Sequence, residues 1–193
     1  MKSLCVFCGS RAGNEDQFRQ DAARLGRMIA ERGFRLVYGG GSVGLMGILA
    51  DAALAAGGNV IGVIPEFLAV REVMHSGLAD LRIVPSMHAR KSLMADLSDG
   101  FIALPGGYGT LEELFEVITW SQLGLHRKPV GILNTAGYYD PLLHWIDASI
   151  QRDFLREEHR HFLVSHEDCS SLLDLLEKHQ PPTVAKWLPT GGE

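Results

Sequence analysis

A glycine-rich turn beside two carboxylates is the part of this sequence best suited to chemistry. The turn and the residues after it read Pro105-Gly106-Gly107-Tyr108-Gly109-Thr110-Leu111-Glu112-Glu113. The turn follows an apolar run, residues 101–104, and precedes a helical pattern that begins at or next to Thr110 and reaches about Leu123. Glycine lets a backbone approach a ligand closely, and the free N–H groups at a helix start attract anions. The sequence therefore predicts an enzyme that acts on a phosphorylated small molecule.

Thr110 and Glu113 allow two interpretations. Their spacing fits a capping box, in which the threonine hydroxyl caps the helix and the glutamate reaches back to the first backbone N–H. In the alternative, the N–H groups of the turn and the Thr110 hydroxyl form an anion site, and the helix dipole keeps Glu113 ionised. An ionised carboxylate suits a general base or a group that stabilises positive charge. Glu112 lies about 100° around the helix from Glu113, so we expect it to have a different role.

Two adjacent cations, Arg90 and Lys91, lie in a predicted helix over residues 86–97. By themselves they are equally consistent with solvated surface charge. Beside an anion site, one of them is expected to contact phosphate or Glu113, and arginine suits planar, bidentate contact with either. Because arginine stays protonated, we interpret Arg90 as an orienting and electrostatic group.

Two further glycine-rich turns follow predicted strands. Ser10 lies in the turn after the first strand, and the second strand ends in residues 39–44, which include Gly41 and Ser42. Residues 39–44 contain G-x-G-x-x-G, the dinucleotide fingerprint, although after the second strand instead of the first; tight helix–strand packing is the alternative. Because ligands bind at the carboxyl ends of parallel strands, we group these turns with residues 106–113 in one nucleotide site.

Short apolar strands alternate with helical patterns along the chain. The predicted strands are 4–7, 35–38, 60–64, 81–84, 101–104, 130–133 and an edge strand at 162–164; the predicted helices are 14–32, 45–56, 86–97, 110–123, 138–152 and 169–178. This alternation indicates an α/β fold, a doubly wound, Rossmann-like parallel sheet with helices on both faces. We expect a single nucleotide-binding domain over residues 1–180 and a poorly ordered tail over residues 181–193.

Composition and charge argue against several other classes. The 193-residue chain has a net charge of −5, whereas nucleic-acid binders usually show a basic face. It lacks an apolar run of the roughly 20 residues that span a membrane, and its three cysteines and lack of a signal-peptide pattern favour the cytoplasm. Cys5 and Cys8 form C-x-x-C, but in a strand their side chains point to opposite faces, which disfavours a redox role. The histidine spacing predicts no metal site.

Several of these motifs resemble the Lonely Guy family of cytokinin-activating nucleoside 5′-monophosphate phosphoribohydrolases. Residues 105–113 are similar to its P-G-G-x-G-T-x-x-E motif, residues 87–91 to its M-H-x-R-K, and residues 39–47 to its G-G-G-S-V-G-L-M-G. The likeness covers roughly residues 3–155 and departs at Arg11, where the family often has a small residue. It implies hydrolysis of the N-glycosidic bond of a purine (adenine or N6-modified adenine) ribonucleoside 5′-monophosphate to free base and ribose 5-phosphate. It further implies a homodimer, with the site near the subunit interface, and no cofactor.

The resemblance also implies roles for individual residues. Arg90 and Glu113 fall on the family's catalytic positions. The substrate-binding residues expected from the turns and the resemblance together are Ser10, Gly41, Ser42, Glu72, Arg90, Lys91, Gly106, Gly107, Tyr108, Gly109, Thr110, Leu111, Glu112 and Thr119. Three alternatives stay open: a non-catalytic carrier of a nucleotide or of molybdenum cofactor, a dinucleotide oxidoreductase, and a lysine decarboxylase, whose chemistry needs a pyridoxal phosphate lysine.

Overall fold

The computed structural model describes residues 1–69 and 74–183. In this part of the chain the strands are β1 (Ser3–Phe7), β2 (Arg35–Tyr38), β3 (Val60–Pro65), β4 (Asp80–Val84), β5 (Gly100–Ala103), β6 (Val130–Leu133) and β7 (Leu163–His166). The α-helices are α1 (Asp16–Glu31), α2 (Gly44–Ala55), α3 (Glu66–Ala69), α4 (Met87–Asp96), α5 (Tyr108–Gln122), α6 (Asp140–Gln151) and α7 (Cys169–Lys178), with 3-10 turns at Thr135–Gly137 and Glu157–Phe162.

All these strands join one parallel sheet in the order β4-β3-β2-β1-β5-β6-β7. The order reverses at β1, where Leu4 pairs with Leu36 of β2 on one side and with Gly100 of β5 on the other. Such a reversal opens a crevice between the loops that follow the two central strands, and doubly wound sheets bind their ligands there. The predicted α/β fold is therefore confirmed, and it places the turns after β1 and β5 side by side.

Helices cover both faces of the sheet and bury two separate cores. On one face, α1, α2 and α7 pack against the sheet through residues such as Leu25, Leu49 and Leu172. On the other, α4, α5 and α6 contribute residues such as Met94 and Leu114. Buried strands with apolar side chains on both faces require this double cover.

Cys5 and Cys8 belong to opposite cores, as the strand geometry predicts. Both thiols are free and buried. Burial raises the pKa of each thiol well above its usual range. The pair therefore lacks the reactive thiolate that a redox motif needs.

The predicted helix and strand boundaries agree with the structure to within about two residues. The difference that matters is at α5, which begins at Tyr108, not at Thr110. Pro141 lies in the first turn of α6, where proline is tolerated, and β7 lies at the sheet edge as predicted. Of the predicted tail, residues 181–193, only residues 181–183 are among the described residues. No helix of the described residues is long and apolar enough to cross a membrane.

Candidate active site

The three glycine-rich turns meet at the carboxyl end of the sheet. The Gly9 N–H donates to the Pro105 carbonyl at 3.1 Å, and the Gly9 carbonyl accepts from the Leu45 N–H at 3.1 Å. Gly44 has φ +62° and its α-carbon faces the Ser10 backbone so closely that a Cβ would overlap it. The turn after β1 thus contacts the turns after β2 and β5, and the structure brings together the backbone groups that the sequence assigned to one site.

The start of α5 differs from the capping-box interpretation. Gly107, in an extended conformation, is the N-cap, and no side chain caps the helix. Thr110 is therefore inside the first turn and is buried, while Glu113 turns toward Arg90. The capping-box interpretation is wrong because the helix starts two residues earlier, on glycine-rich sequence that propensity alone disfavours. The first backbone N–H groups of α5 lack an intrahelical acceptor and are available to an anion.

Gly106 is needed where the turn after β5 packs most tightly. A Cβ on Gly106 would overlap the Thr110 side chain and approach the Gly9 nitrogen to 2.9 Å, whereas a Cβ on Gly107 would meet nothing within 4 Å. We expect Gly106→Ala to lower the free energy of unfolding by about 1–3 kcal/mol, the usual cost of overpacking. Urea unfolding of Gly106→Ala and Gly107→Ala compares two neighbouring glycines, and equal losses would contradict this packing.

Two tyrosines fix the same turn from the other side. The Tyr138 hydroxyl donates to the Gly106 carbonyl at 2.5 Å, and the buried Tyr139 hydroxyl donates to the Leu104 carbonyl at 2.6 Å. Asn134 Oδ1 accepts from the Tyr139 N–H at 2.7 Å and holds the start of α6 in register. Sequence reasoning gave the tyrosines no role; the signal was the motif Gly137-Tyr138-Tyr139, whose function depends on contacts made over 30 residues away.

Arg90 and Glu113 form a buried ion pair. Ser86 Oγ caps α4 by accepting from the Ala89 N–H at 3.1 Å, which places Arg90 in the first turn of that helix. Arg90 Nη1 donates to Glu113 Oε1 at 2.7 Å, and Arg90 Nε donates to the Val63 carbonyl at 3.0 Å. The two residues are only 9% and 8% exposed. One of the predicted contacts, that between Arg90 and Glu113, is therefore present. Together the two hydrogen bonds of Arg90 link α4 to α5 and to β3 and so fix the position of the carboxylate.

Gly39, at the end of β2, makes room for this ion pair. A Cβ at this position would overlap Arg90 Nη2 and lie 3.2 Å from the Met46 sulfur. The first glycine of the G-x-G-x-x-G pattern therefore accommodates a guanidinium group. This contact gives Gly39 a packing role in the site.

The pKa of Glu113 departs from the expectation based on the helix dipole. Burial raises the pKa of this carboxyl above its ordinary value, and the charge of Glu112 raises it further. The Arg90 charge and hydrogen bond act in the opposite direction. The sequence suggested a carboxylate stabilised in its charged form, but burial, which the sequence did not reveal, has the larger effect. A raised pKa brings the carboxyl closer to the range in which a general base operates best.

Lys91 points away from Arg90 and contacts two other carboxylates of α5. Its Nζ contacts Glu112 Oε1 and lies 3.0 Å from Glu116 Oε1. Burial lowers the pKa of Lys91, but the hydrogen bonds to Glu112 and Glu116 outweigh burial and raise it. Glu112 thus contacts a different cation from Glu113, and Glu116 is a member of the cluster that the sequence did not suggest. Its spacing of four from Glu112 is the signal that could have identified it.

The remaining predicted substrate contacts are dispersed. Ser10, Gly107 and Gly109 are exposed around the turns, Tyr108 is 94% exposed, and Leu111 packs against the core. Gly41 forms an antiparallel bridge with Met74, and Ser42 lies in the turn between Gly41 and α2. Glu72 lies outside the described residues. Among the described residues, no three His, Cys, Asp or Glu side chains lie close enough together to hold a metal.

Thr119 lies apart from the ion pair. It is six residues beyond Glu113 on α5, which rotates it about 240° around the helix. It lines a separate, mostly apolar cavity of about 190 Å³ between α5 and α6, together with Phe115, Trp145 and His159. Within one chain, Thr119 therefore does not join the site formed by Arg90 and Glu113.

A cavity of about 250 Å³ opens at the point where the strand order reverses. It is lined by the turns after β1 and β5 and by side chains of α1, α2 and the segment before α6: Gly9, Ser10, Arg11, Ala12, Gly13, Phe18, Leu45, Pro105, Gly106, Gly107 and Tyr138. Arg90 and Glu113 do not line it. Gly106 connects the two regions because it contacts Thr110 of α5 on one side and the cavity on the other.

Comparison with known proteins agrees with this arrangement. A family model described as "possible lysine decarboxylase" matches residues 46–176. A probable cytokinin riboside 5′-monophosphate phosphoribohydrolase of Oryza sativa subsp. japonica is 51% identical over 94% of this chain and 74% of its own. A cytokinin riboside 5′-monophosphate phosphoribohydrolase of Arabidopsis thaliana is 50% identical over 93% of this chain and 84% of its own. The chain belongs to the Lonely Guy family.

Solved structures share the fold at lower identity. The molybdenum cofactor binding protein of Rippkaea orientalis has a TM-score of 0.69 at 22% identity, covering 91% of this chain and 95% of its own. The molybdenum cofactor carrier protein of Chlamydomonas reinhardtii has the same TM-score and identity, covering 92% of this chain and 96% of its own. At this identity the likeness shows the α/β fold alone, so the Lonely Guy relatives are the more informative comparison for function.

Proposed function

We propose that this Lonely Guy chain hydrolyses the N-glycosidic bond of adenine or N6-modified adenine ribonucleoside 5′-monophosphates. The products are the free base and ribose 5-phosphate. The buried pair of Arg90 and Glu113, packed against Gly39 in the turn after β2, is the observation that carries this proposal. The names of the relatives, which are about 50% identical over most of the chain, support the same reaction.

Glu113 supplies the group that the reaction needs. Breaking the bond between C1′ and the base nitrogen leaves positive charge on the ribose, as in other glycosidic cleavages. The Glu113 carboxylate stabilises this charge and accepts a proton from the attacking water, whose oxygen forms the new bond to C1′. The bonding electrons leave with the base, which takes up a proton. Arg90 fixes the orientation of the carboxylate through its hydrogen bond to Glu113.

The turns position the other end of the nucleotide. The uncapped start of α5 offers backbone N–H groups to the 5′-phosphate. Gly107 and Gly109 leave open space around their α-carbons, so a ligand is able to approach the backbone closely. Holding the phosphate fixes the ribose and turns a collision with water into a reaction between oriented groups.

The lysine decarboxylase alternative conflicts with the environment of Lys91. A Schiff base forms from an unprotonated amine, which needs a lowered pKa. The hydrogen bonds of Lys91 to Glu112 and Glu116 instead raise its pKa and favour the ammonium form. Lys91 is better suited to hold these two carboxylates in place, which leaves Arg90 as the partner of Glu113.

A panel of 5′-monophosphates tests the function and its base preference. Purified protein is incubated with AMP, N6-prenylated AMP, GMP and CMP, and the released base is measured by chromatography. We expect adenine-type bases to be released fastest. A chain that binds these nucleotides and releases no base would instead be a carrier of nucleotides.

The raised pKa of Glu113 predicts the pH dependence. Only the ionised carboxylate accepts a proton, so kcat/KM is full above the pKa of Glu113 and falls as the pH decreases through it. Because burial raises this pKa above the ordinary 4.5, we expect the acidic limb of the profile to lie above pH 4.5. Circular dichroism at each pH controls for unfolding. A limb at or below pH 4.5 in folded protein would contradict the role of Glu113.

We further propose that the chain forms a homodimer in the cytoplasm. The resemblance implies a dimer with its site near the subunit interface, and Thr119 lies too far around α5 to meet Glu113 of its own chain. Trp145, which lines the Thr119 cavity, is 54% exposed, and Phe154, in the loop after α6, is 82% exposed. Light scattering is expected to give twice the mass of the chain, and a monomer at micromolar concentration would contradict the dimer.

A further inference from the structure

A buried histidine fixes the segment before β4 to the turn after β2. Met74 and residues 76–77 are exposed, whereas His75 is only 7% exposed. The His75 N–H donates to the Gly40 carbonyl at 3.1 Å, and Met74 forms an antiparallel bridge with Gly41. The turn after β2 is therefore held in place by the backbone of residues 74 and 75.

Both ring nitrogens of His75 are engaged by the protein. Nδ1 accepts from the Gly77 N–H at 3.2 Å, so the neutral ring carries its proton on Nε2. Nε2 donates to Asp51 Oδ1 of α2 at 3.0 Å. The side chain of His75 is 8% exposed and that of Asp51 is 73% exposed. With both nitrogens engaged, His75 does not act as a base or a nucleophile, and its geometry suits an anchor between α2 and the turn.

The anchored turn reaches the ion pair of Arg90 and Glu113 through Gly39. A Cβ on Gly39 would overlap Arg90 Nη2, so the backbone of this glycine packs directly against the guanidinium. Residues 39–41 are all glycine, and Gly40 has a left-handed φ of +76°. Glycines lack side chains that would pack and have high backbone freedom. The position of this turn therefore depends on the contacts that other segments make with its backbone.

We propose that His75, oriented by Asp51, is a positioning residue for the hydrolysis. It holds the turn after β2 so that Gly39 stays packed against Arg90, which in turn orients the Glu113 carboxylate. The inference rests on the proposed function and adds to it two residues that do not touch the substrate. Because α2 covers one face of the sheet and α4 and α5 cover the other, the anchor connects the two helix layers at the site.

His75→Phe keeps a buried ring and removes both side-chain hydrogen bonds. We expect kcat for AMP to fall roughly 10- to 100-fold, since a displacement of about 1 Å in a supporting group has effects of this size. The Kd of ribose 5-phosphate, measured by calorimetry, should stay within about threefold of wild type, because the proposed phosphate site is the start of α5. Equal losses in kcat and in this affinity would show a general loosening and would overturn the positioning role.

Asp51 provides a second test because its exposed side chain can be replaced without disturbing the core. Asp51→Ala should lower kcat by about 2- to 10-fold, the weight of one hydrogen bond. Asp51→Asn keeps an oxygen that accepts from Nε2 and should restore kcat to near the wild-type value. Asp16→Ala, which removes a carboxylate of α1 whose side chain is 89% exposed, is the matched control. If Asp51→Ala has the same kcat as Asp16→Ala, the inference is wrong, even where His75→Phe does not fold.

Hydrogen exchange measures the anchor without relying on activity. In His75→Phe and in Asp51→Ala, the amides of residues 39–41 and 75 should exchange faster than in wild type, while those of β6 stay unchanged. If the wild-type chain releases no base from any monophosphate, the proposed function fails, and the exchange rates still decide whether His75 holds the turn. Unchanged exchange in both variants would overturn the inference.

Discussion

Replacing Glu113 by glutamine is expected to lower kcat for AMP by roughly 10²–10³-fold, the usual effect of removing one group that stabilises transition-state charge. Glutamine has nearly the same shape, and its amide oxygen is able to accept the hydrogen bond from Arg90 Nη1 that Glu113 accepts at 2.7 Å. Nucleotide binding should therefore persist. Initial rates at saturating AMP, together with calorimetric Kd values for both proteins, measure the two effects separately.

Glu177→Gln is the matched control for this substitution. Glu177 forms a surface ion pair with Arg32 at 3.3 Å on the last helix, so its neutralisation removes a carboxylate with little effect on the site. We expect this variant to keep wild-type kinetics. Turnover by Glu113→Gln close to that of wild type would show that Glu113 is not the catalytic carboxylate.

Replacing Arg90 by methionine is expected to lower the free energy of unfolding by about 3–5 kcal/mol, because the substitution leaves the buried Glu113 carboxylate without its partner. It also removes the hydrogen bond to the Val63 carbonyl. The same variant should lose activity, since it removes the hydrogen bond from Arg90 Nη1 that orients the carboxylate. Urea unfolding, followed by circular dichroism, measures the stability change.

Two comparisons make this result specific. Arg82→Met breaks an ion pair whose side chains are 39% and 41% exposed, and it should cost less than about 1 kcal/mol. The double variant Arg90→Met/Glu113→Gln removes both buried charges, so it should be more stable than Arg90→Met alone. If Arg90→Met costs no more than Arg82→Met, the buried pair is not what stabilises this part of the molecule.

The architecture and the meeting of the turns were predictable from local patterns. The apolar run at residues 60–64 predicts a strand, and Gly33, whose backbone is unusually free, predicts the end of the first helix. Neither prediction needs a contact distant in sequence. Parallel strands place their carboxyl ends together, so the turns after β1, β2 and β5 had to be neighbours. The sequence also predicted that Arg90 or Lys91 contacts phosphate or Glu113, and the structure contains the contact between Arg90 and Glu113.

Features that depend on contacts distant in sequence were not predictable. The start of α5 at Tyr108 depends on Gly106 packing against Gly9 and on the Tyr138 hydroxyl, which are far apart in the chain. The raised pKa of Glu113 depends on burial that only the assembled helices create. Thr119 was placed near the site by resemblance, but the helical rotation puts it on another face of α5, beside the cavity between α5 and α6.

The products formed from AMP by the wild-type chain and by Glu113→Gln, analysed side by side, test the central claim most directly. Chromatography separates adenine and ribose 5-phosphate from adenosine and inorganic phosphate, so it identifies the bond that is cleaved. We predict equimolar adenine and ribose 5-phosphate from wild type and almost none from Glu113→Gln. Adenosine and phosphate as products, or equal adenine release by both proteins, would contradict a phosphoribohydrolase that uses Glu113.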